Sequence, residues 1–149
     1  MKKVLKSVSS FAIIAAILTS AALAAAPAEP DGPQASKYIS GTTTAAGALG
    51  GGKVRFSFSI TATGGMQDVG ADWVEVYEVG DDIHPVKVYD HRSSAYDYIM
   101  GHNASTHTAG VTYFGEKGHQ YYAKVSFFAG TYGVAGGVDY LGSAIVTAY

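Results

Sequence analysis

Lys53-Val54-Arg55-Phe56-Ser57-Phe58-Ser59-Ile60-Thr61 alternates apolar and polar residues without a fault. Period two is the repeat of a β-strand, so Val54, Phe56, Phe58 and Ile60 leave one face together and that face belongs to a core. Full burial of each such side chain contributes about 1.5–3 kcal/mol, so these residues form one wall of the interior.

Downstream, Gly64-Gly65 and Gly70 bound a predicted loop, after which Trp73-Val74-Glu75-Val76-Tyr77-Glu78-Val79 begins a second strand. Val74 and Val76 are expected inward, with Trp73 partly buried on the face it shares with Tyr77 and Val79. Gly80-Asp81-Asp82-Ile83-His84-Pro85 is a turn cluster and Val86-Lys87-Val88-Tyr89 resumes the alternation, which predicts a hairpin with a long loop. Periodicity fades over residues 92–108, where Ser93-Ser94, Gly101-His102-Asn103 and Ser105-Thr106 predict a loop-rich crossing with one short strand at residues 98–100. Residues 109–114 and 121–129 read as two further strands joined through Gly115-Glu116-Lys117-Gly118. In the second of these, Tyr121, Ala123, Val125 and Phe127 point inward, and Lys124 and Ser126 mark the face of Tyr122 and Phe128 as outer. Residues 130–137 read as a glycine-rich loop, and residues 143–147 as a last strand.

Upstream, Lys2, Lys3 and Lys6 precede an apolar run from Phe11 to Leu18 and then Ala22-Leu23-Ala24, the pattern of a secretory signal peptide over residues 1–24 with cleavage after Ala24. Thr19 and Ser20 interrupt the apolar run before it reaches the roughly 20 residues of a spanning helix. Residues 25–35 contain Pro27, Pro30 and Pro33 and read as a flexible lead. Residues 36–149 are left for a single folded domain, with no helical stretch and no internal repeat.

The chain has no cysteine, which excludes a lipoprotein anchor and a disulfide that would contribute about 2–4 kcal/mol to an exported domain. Residues 144–149 are strand-like, without an apolar tail, so cleavage is expected to release the domain without stable membrane insertion. Loss of Lys2, Lys3 and Lys6 leaves seven of the ten Lys and Arg against twelve Asp and Glu, a net charge of −5 with neutral histidines. Nucleic acid and anionic lipid need a basic surface and are therefore disfavoured as partners.

Gly118-His119-Gln120-Tyr121-Tyr122-Ala123-Lys124-Val125 resembles the tyrosine-corner strand of fibronectin type III and related immunoglobulin-like sandwiches, with Tyr121 as the matching tyrosine. The resemblance implies that its hydroxyl bonds back to the chain just upstream. Ser57-Phe58-Ser59-Ile60-Thr61-Ala62-Thr63-Gly64, Met66, Val76-Tyr77-Glu78, Met100-Gly101-His102-Asn103, Val111-Thr112-Tyr113 and residues 122–129 are similar to small exported proteins of Gram-positive bacteria. That family has no assigned biochemical function, so the resemblance implies export and fold and transfers no catalytic residue.

Nucleophilic hydrolysis needs a serine on a sharp turn with a histidine in reach, and the chain has neither Gly-x-Ser-x-Gly nor cysteine. Ser93, Ser94 and Ser105 lie near His91, His102 and His107 only in sequence, and no catalytic residue is assigned. His102 and His107, with His91 or Asp97, have ligand types that suit zinc but no recognised spacing. Asp81-Asp82 lacks the further oxygen ligands and the glycine of a calcium loop, so neither a metal nor another cofactor is expected. Glu75 with Glu78, or Asp90 with Asp97, supply the carboxylates of a glycosidase, yet Glu75 and Glu78 leave opposite faces of a strand. Asn103-Ala104-Ser105 matches a glycosylation sequon, a coincidence behind a bacterial-looking signal.

The eleven tyrosines carry more weight, because tyrosine offers flat apolar area with a polar tip at low entropic cost. Tyr96 and Tyr98 in the long loop and Tyr132 in the glycine loop form the candidate ligand surface. A glycan reading requires those three to converge on one exposed patch. The fold expected is a single immunoglobulin-like, fibronectin type III-like antiparallel β-sandwich of about seven strands, preceded by a signal-peptide helix. The function expected is a secreted, non-catalytic binding module for an extracellular glycan, of cell wall or host, or for a protein, acting through loops or an exposed edge strand. The alternative is a released bacteriocin-like or inhibitor effector.

Overall fold

The computed structural model describes residues 37–149; the signal-peptide helix, its cleavage site and the proline-rich lead lie outside the described residues. Seven strands follow in chain order: β1 (Ile39–Gly50), β2 (Lys53–Glu78), β3 (Lys87–Asp90), β4 (Met100–Phe114), β5 (Gln120–Thr131), β6 (Ala135–Gly142) and β7 (Val146–Thr147), with a single 3-10 turn at Asp97–Ile99. All pair antiparallel in one sheet, which curls into a half-barrel around the interior.

The curl is built into β2. Its 26 residues form one strand, and Gly64, Gly65 and Gly70, expected to bound a loop, lie within it. Glycine needs no loop to be tolerated where a strand bends. Over residues 53–62 the flanks of β2 carry β1 and β4; from residue 68 onward β5 replaces β1. Between the two regimes, Thr61 faces Thr106 and Met66 faces Ala104, so β2 spends five steps where β4 spends two. Asn103, beside this irregularity, has a left-handed φ of 52°, a conformation asparagine accepts more readily than most residues. A second bulge follows: Ala71 faces Phe127 and Trp73 faces Ser126, leaving Asp72 as the extra residue.

Each irregularity shifts the phase of the alternation. Val54, Phe56, Phe58, Ile60 and Ala62 are buried at even positions, Val69 and Ala71 at odd ones, and Val74 and Val76 at even ones again. The valines thus point inward as expected, and Trp73 is half-buried. The interior they share with Tyr121, Ala123, Val125 and Phe127 closes through an edge contact between the rings of Phe58 and Phe127, centroids 5.9 Å apart. On the side away from the β3–β4 flank, Thr42 Oγ1 donates to Asp139 Oδ2 at 3.0 Å and Thr44 Oγ1 to the Gly142 carbonyl at 2.8 Å, tying β1 to β6.

Several elements differ from the sequence reading. Residues 100–108 continue the strand that ends at Phe114, and residues 97–99 form a 3-10 turn, so the crossing shrinks to residues 91–99. Polar residues fit a strand there because its solvent face needs no apolar side chain. The expected glycine loop of residues 130–137 divides between the end of β5, the start of β6 and a turn at Tyr132-Gly133-Val134 in which Gly133 has φ 75°. The last strand narrows to Val146–Thr147, and β1 carried too little periodicity to be read at all. The outer face of β5 is covered: Tyr77 stacks on Tyr122, and Trp73 and Tyr140 flank Ser126, which is 1% exposed with its hydroxyl unpartnered. Cross-strand aromatics, invisible before the register is known, shield those polar positions.

The Tyr121 hydroxyl accepts the Glu116 backbone N–H at 2.9 Å, the upstream bond implied by a tyrosine corner. A Cβ on Gly115 would stand 2.3 Å from the Tyr121 ring, so glycine is required at that approach.

Phe127→Ala is expected to destabilise the domain by about 3–5 kcal/mol in chemical denaturation. Gly70→Ala places a methyl 2.5 Å from the Ile99 carbonyl oxygen and 2.7 Å from Met100 Cα. Because both obstacles are backbone, a loss of about 1–3 kcal/mol is expected in the same measurement.

Candidate functional site

Asp68 of β2 pairs with His102 and with Gly130, and Trp73 pairs with Asp90 and with Ser126. β4 and β3 therefore occupy the same flank of β2, one after the other, opposite β5. Among the described residues neither has a second strand partner, so each ends the sheet in a free edge. Between them runs an open groove of about 780 Å³ lined by Arg55, Lys87, Tyr89, Tyr96, Tyr98, Tyr113, Phe114 and the β4 backbone from Thr108 to Thr112. It is crossed by one bond, in which the buried Tyr89 donates its hydroxyl to the Thr112 carbonyl at 2.7 Å.

That bond fixes which backbone groups face the groove. The Gly115 N–H points to Gly52 beneath the hairpin turn of β1 and β2, 2.9 Å away. Alternation along β4 then turns Tyr113, Val111 and Ala109 toward β2, and turns the N–H and C=O groups of Thr108, Gly110, Thr112 and Phe114 toward the free edge. The acceptance of Tyr89 by the Thr112 carbonyl agrees.

Tyr96 packs edge-on against Tyr89, centroids 5.0 Å apart, and Tyr113 packs likewise against Tyr121 at 5.1 Å. Tyr98 is 51% exposed and Phe114 69% exposed at the groove surface. Lys87 Nζ lies 5.7 Å from the ring centroids of both Tyr89 and Tyr96, within cation–π reach. Burial, and secondarily the neighbouring tyrosines, push the Tyr89 phenol up to about 12. Burial also raises the Tyr98 phenol, against the opposing pull of Arg55. No carboxylate lines the groove, and among the described residues neither Arg55 nor Lys87 has a carboxylate partner within 4.0 Å. By contrast, Arg92 holds Asp90 through Nη2 to Oδ2 at 2.7 Å, which lowers the Asp90 carboxyl to about 2.

Tyr132 belongs elsewhere. The bulge at Asp72 presents its carboxylate to the Tyr132 hydroxyl at 2.9 Å and to His91 Nδ1 at 3.1 Å. Tyr132 also stacks on Phe128 at 4.1 Å and on His91 at 5.2 Å, so its ring and its polar tip are both engaged. Burial first, and then the bond to Asp72, raise its phenol far above the usual range. This cluster opens on a shallower, polar hollow with Asp68, Asp97 and His102. Of the three candidate tyrosines the structure thus unites Tyr96 and Tyr98 and sets Tyr132 apart. Sequence reasoning missed Arg55, Lys87, Tyr89 and Tyr113, which sit on strands where default expectation makes them surface or core.

The histidines considered as ligands are separately engaged: His102 Nδ1 with Asp68 at 2.8 Å, His107 Nε2 with the Tyr98 carbonyl at 3.0 Å, and His91 with Asp72. Among the described residues no three His, Asp or Glu side chains form a metal-holding group. Neither family models, nor curated proteins, nor solved structures give a match to this chain.

Tyr89→Phe removes the bond across the groove and leaves the Thr112 carbonyl unpaired there; a loss of about 0.5–1.5 kcal/mol in chemical denaturation is expected. At the far end of β2, Glu78 accepts a bond from His119, which raises the imidazole above its ordinary 6.5. A raised folded-state value favours folding below pH 6.5, and this contribution disappears as the pH climbs through the folded-state value. An NMR titration of His119 is expected to give a midpoint above 6.5 that falls in Glu78→Gln.

Proposed function

We propose that this chain is an exported, non-catalytic binding module whose ligand is a protein segment held in the groove between β3 and β4. The observation that carries the reading is the composition of that groove: four tyrosines, a phenylalanine and two cations without carboxylate partners, on a domain whose net charge is negative. Tyrosine and arginine are the residues most enriched at the energetic centres of protein interfaces. A lining without carboxylates imposes no charge repulsion on an anionic ligand.

Export is supported by the signal-like residues 1–24 and by the resemblance to small exported Gram-positive proteins. Among the described residues no helix is long and apolar enough to cross a membrane. The glycan alternative loses its support, since the platform it required divides between two sites and the Tyr132 ring is already stacked. An immunoglobulin-like, fibronectin type III-like sandwich belongs to the same proposal; the Tyr121 hydroxyl bond supports it, while the single curled sheet and the unbroken β2 depart from that pattern.

Purified protein applied to matched peptide and glycan arrays is expected to bind peptides. Combined Tyr98→Ala and Arg55→Glu substitution should weaken that binding at least tenfold and Tyr132→Ala should leave it unchanged. Binding confined to glycans, or sensitive to Tyr132 alone, would sink the reading.

A further inference from the structure

Resting on that reading, we propose that the ligand is an extended acidic segment of a partner protein, added as a strand to the free edge of β4. An unpaired edge is a template for another chain, since its outward N–H and C=O groups repeat at the spacing of a strand. On β4 those groups belong to Thr108, Gly110, Thr112 and Phe114. Among the described residues the Thr112 carbonyl alone of these groups is capped, by Tyr89, so pairing centres on Thr108 and Gly110.

Gly110 stands in the middle of this edge. A Cβ there would lie 2.7 Å from the Phe56 carbonyl oxygen and 3.2 Å from an Arg55 guanidinium nitrogen. The close approach of β2 thus requires glycine at this position, and the glycine also leaves the middle of the open edge without a side chain.

Register supplies the charge. Arg55 faces Thr112 and Ser57 faces Gly110 across β2 and β4, so Arg55 shares the sheet face of that edge. A strand laid beside Gly110 presents alternate side chains on the same face, within reach of Arg55. Lys87 stands on the opposite wall of the groove. Phe114 pairs with Lys53 and so shares the face of Arg55, while Lys87 pairs with the buried Val76 and lies on the other face. An acidic residue on one face of the ligand meets Arg55 beside Phe114, and an acidic neighbour on the other face turns toward Lys87. A segment spanning Thr108 to Phe114 is about 20 Å long at the rise of a β-strand, which matches a partner segment rather than a folded domain.

The test starts from a random ten-residue peptide display library panned against the secreted chain. Enriched peptides are expected to carry Asp or Glu on both faces of the strand, that is at positions an odd number of residues apart. Methylating alternate backbone amides of a synthetic winner changes no charge and is expected to lower its affinity at least tenfold when the methylated amides are those that face β4, and little in the other phase. Thr108→Pro removes one outward N–H from an edge position and should cost a similar factor; circular dichroism monitors its fold. Arg55→Glu with Lys87→Glu should switch the selection to basic peptides.

Acidic peptides that tolerate methylation in both phases, yet lose binding with Tyr98→Ala, would overturn strand addition and leave the groove as a binding site. Enrichment of non-acidic peptides would overturn the charge argument. Failure to enrich any peptide, with binding of polygalacturonate instead, would overturn both this inference and the protein-ligand reading.

Discussion

Strand β2 has to present apolar side chains to one interior along 26 residues while its neighbours change on both flanks. A period-two element that bends cannot do so in strict alternation, because a slip of one residue sends every later side chain to the opposite face. The two bulges act as a pair: the first moves burial from Ile60 and Ala62 to Val69 and Ala71, and the second returns it to Val74 and Val76. The second also isolates Asp72, whose freed carboxylate gathers Tyr132 and His91. Remove either bulge and the positions of β2 beyond it that are now buried would turn to the opposite face.

What could be read from the sequence follows from the same constraint. Residues 53–61 are legible because they are buried on one face within an undisturbed phase, and residues 121–129, buried on both faces, because Lys124 and Ser126 still mark the alternation. Gly64-Gly65 and Gly70 resembled a loop because a phase slip inside a strand looks like the loss of pattern. β1 escaped because its alternate positions are only half-buried and are filled by threonine, alanine and glycine. In the candidate site, Tyr96 and Tyr98 were recognisable from their loop, whereas Arg55, Lys87, Tyr89 and Tyr113 were hidden in strands. Their convergence depends on how far β2 bends, a property of tertiary structure. Tyr132 lies in the turn between β5 and β6, and that turn brings it to Phe128 and His91 and away from Tyr96 and Tyr98, a long-range placement that the sequence does not carry.

The molecule treats its two open margins differently. On one side threonine hydroxyls reach from β1 to Asp139 and the Gly142 carbonyl of β6, so that margin is stitched by short polar side chains. On the other side a single tyrosine spans the gap to Thr112, and the space around it holds rings and unneutralised cations. Surface ion pairs contribute little to stability, so the lack of a carboxylate beside Arg55 and Lys87 among the described residues costs little in the free protein.

At the hairpin between β1 and β2, Gly50, Gly51 and Gly52 all have positive φ, at 82°, 63° and 78°. A glycine turn of this kind matches the twist of the strands it joins and brings them together without a long loop to close. Chain entropy therefore lets this hairpin assemble early. The pairing of Lys53 with Phe114 has to wait for the intervening chain to be ordered. In the time course of folding the groove is then completed late, after the interior has begun to form.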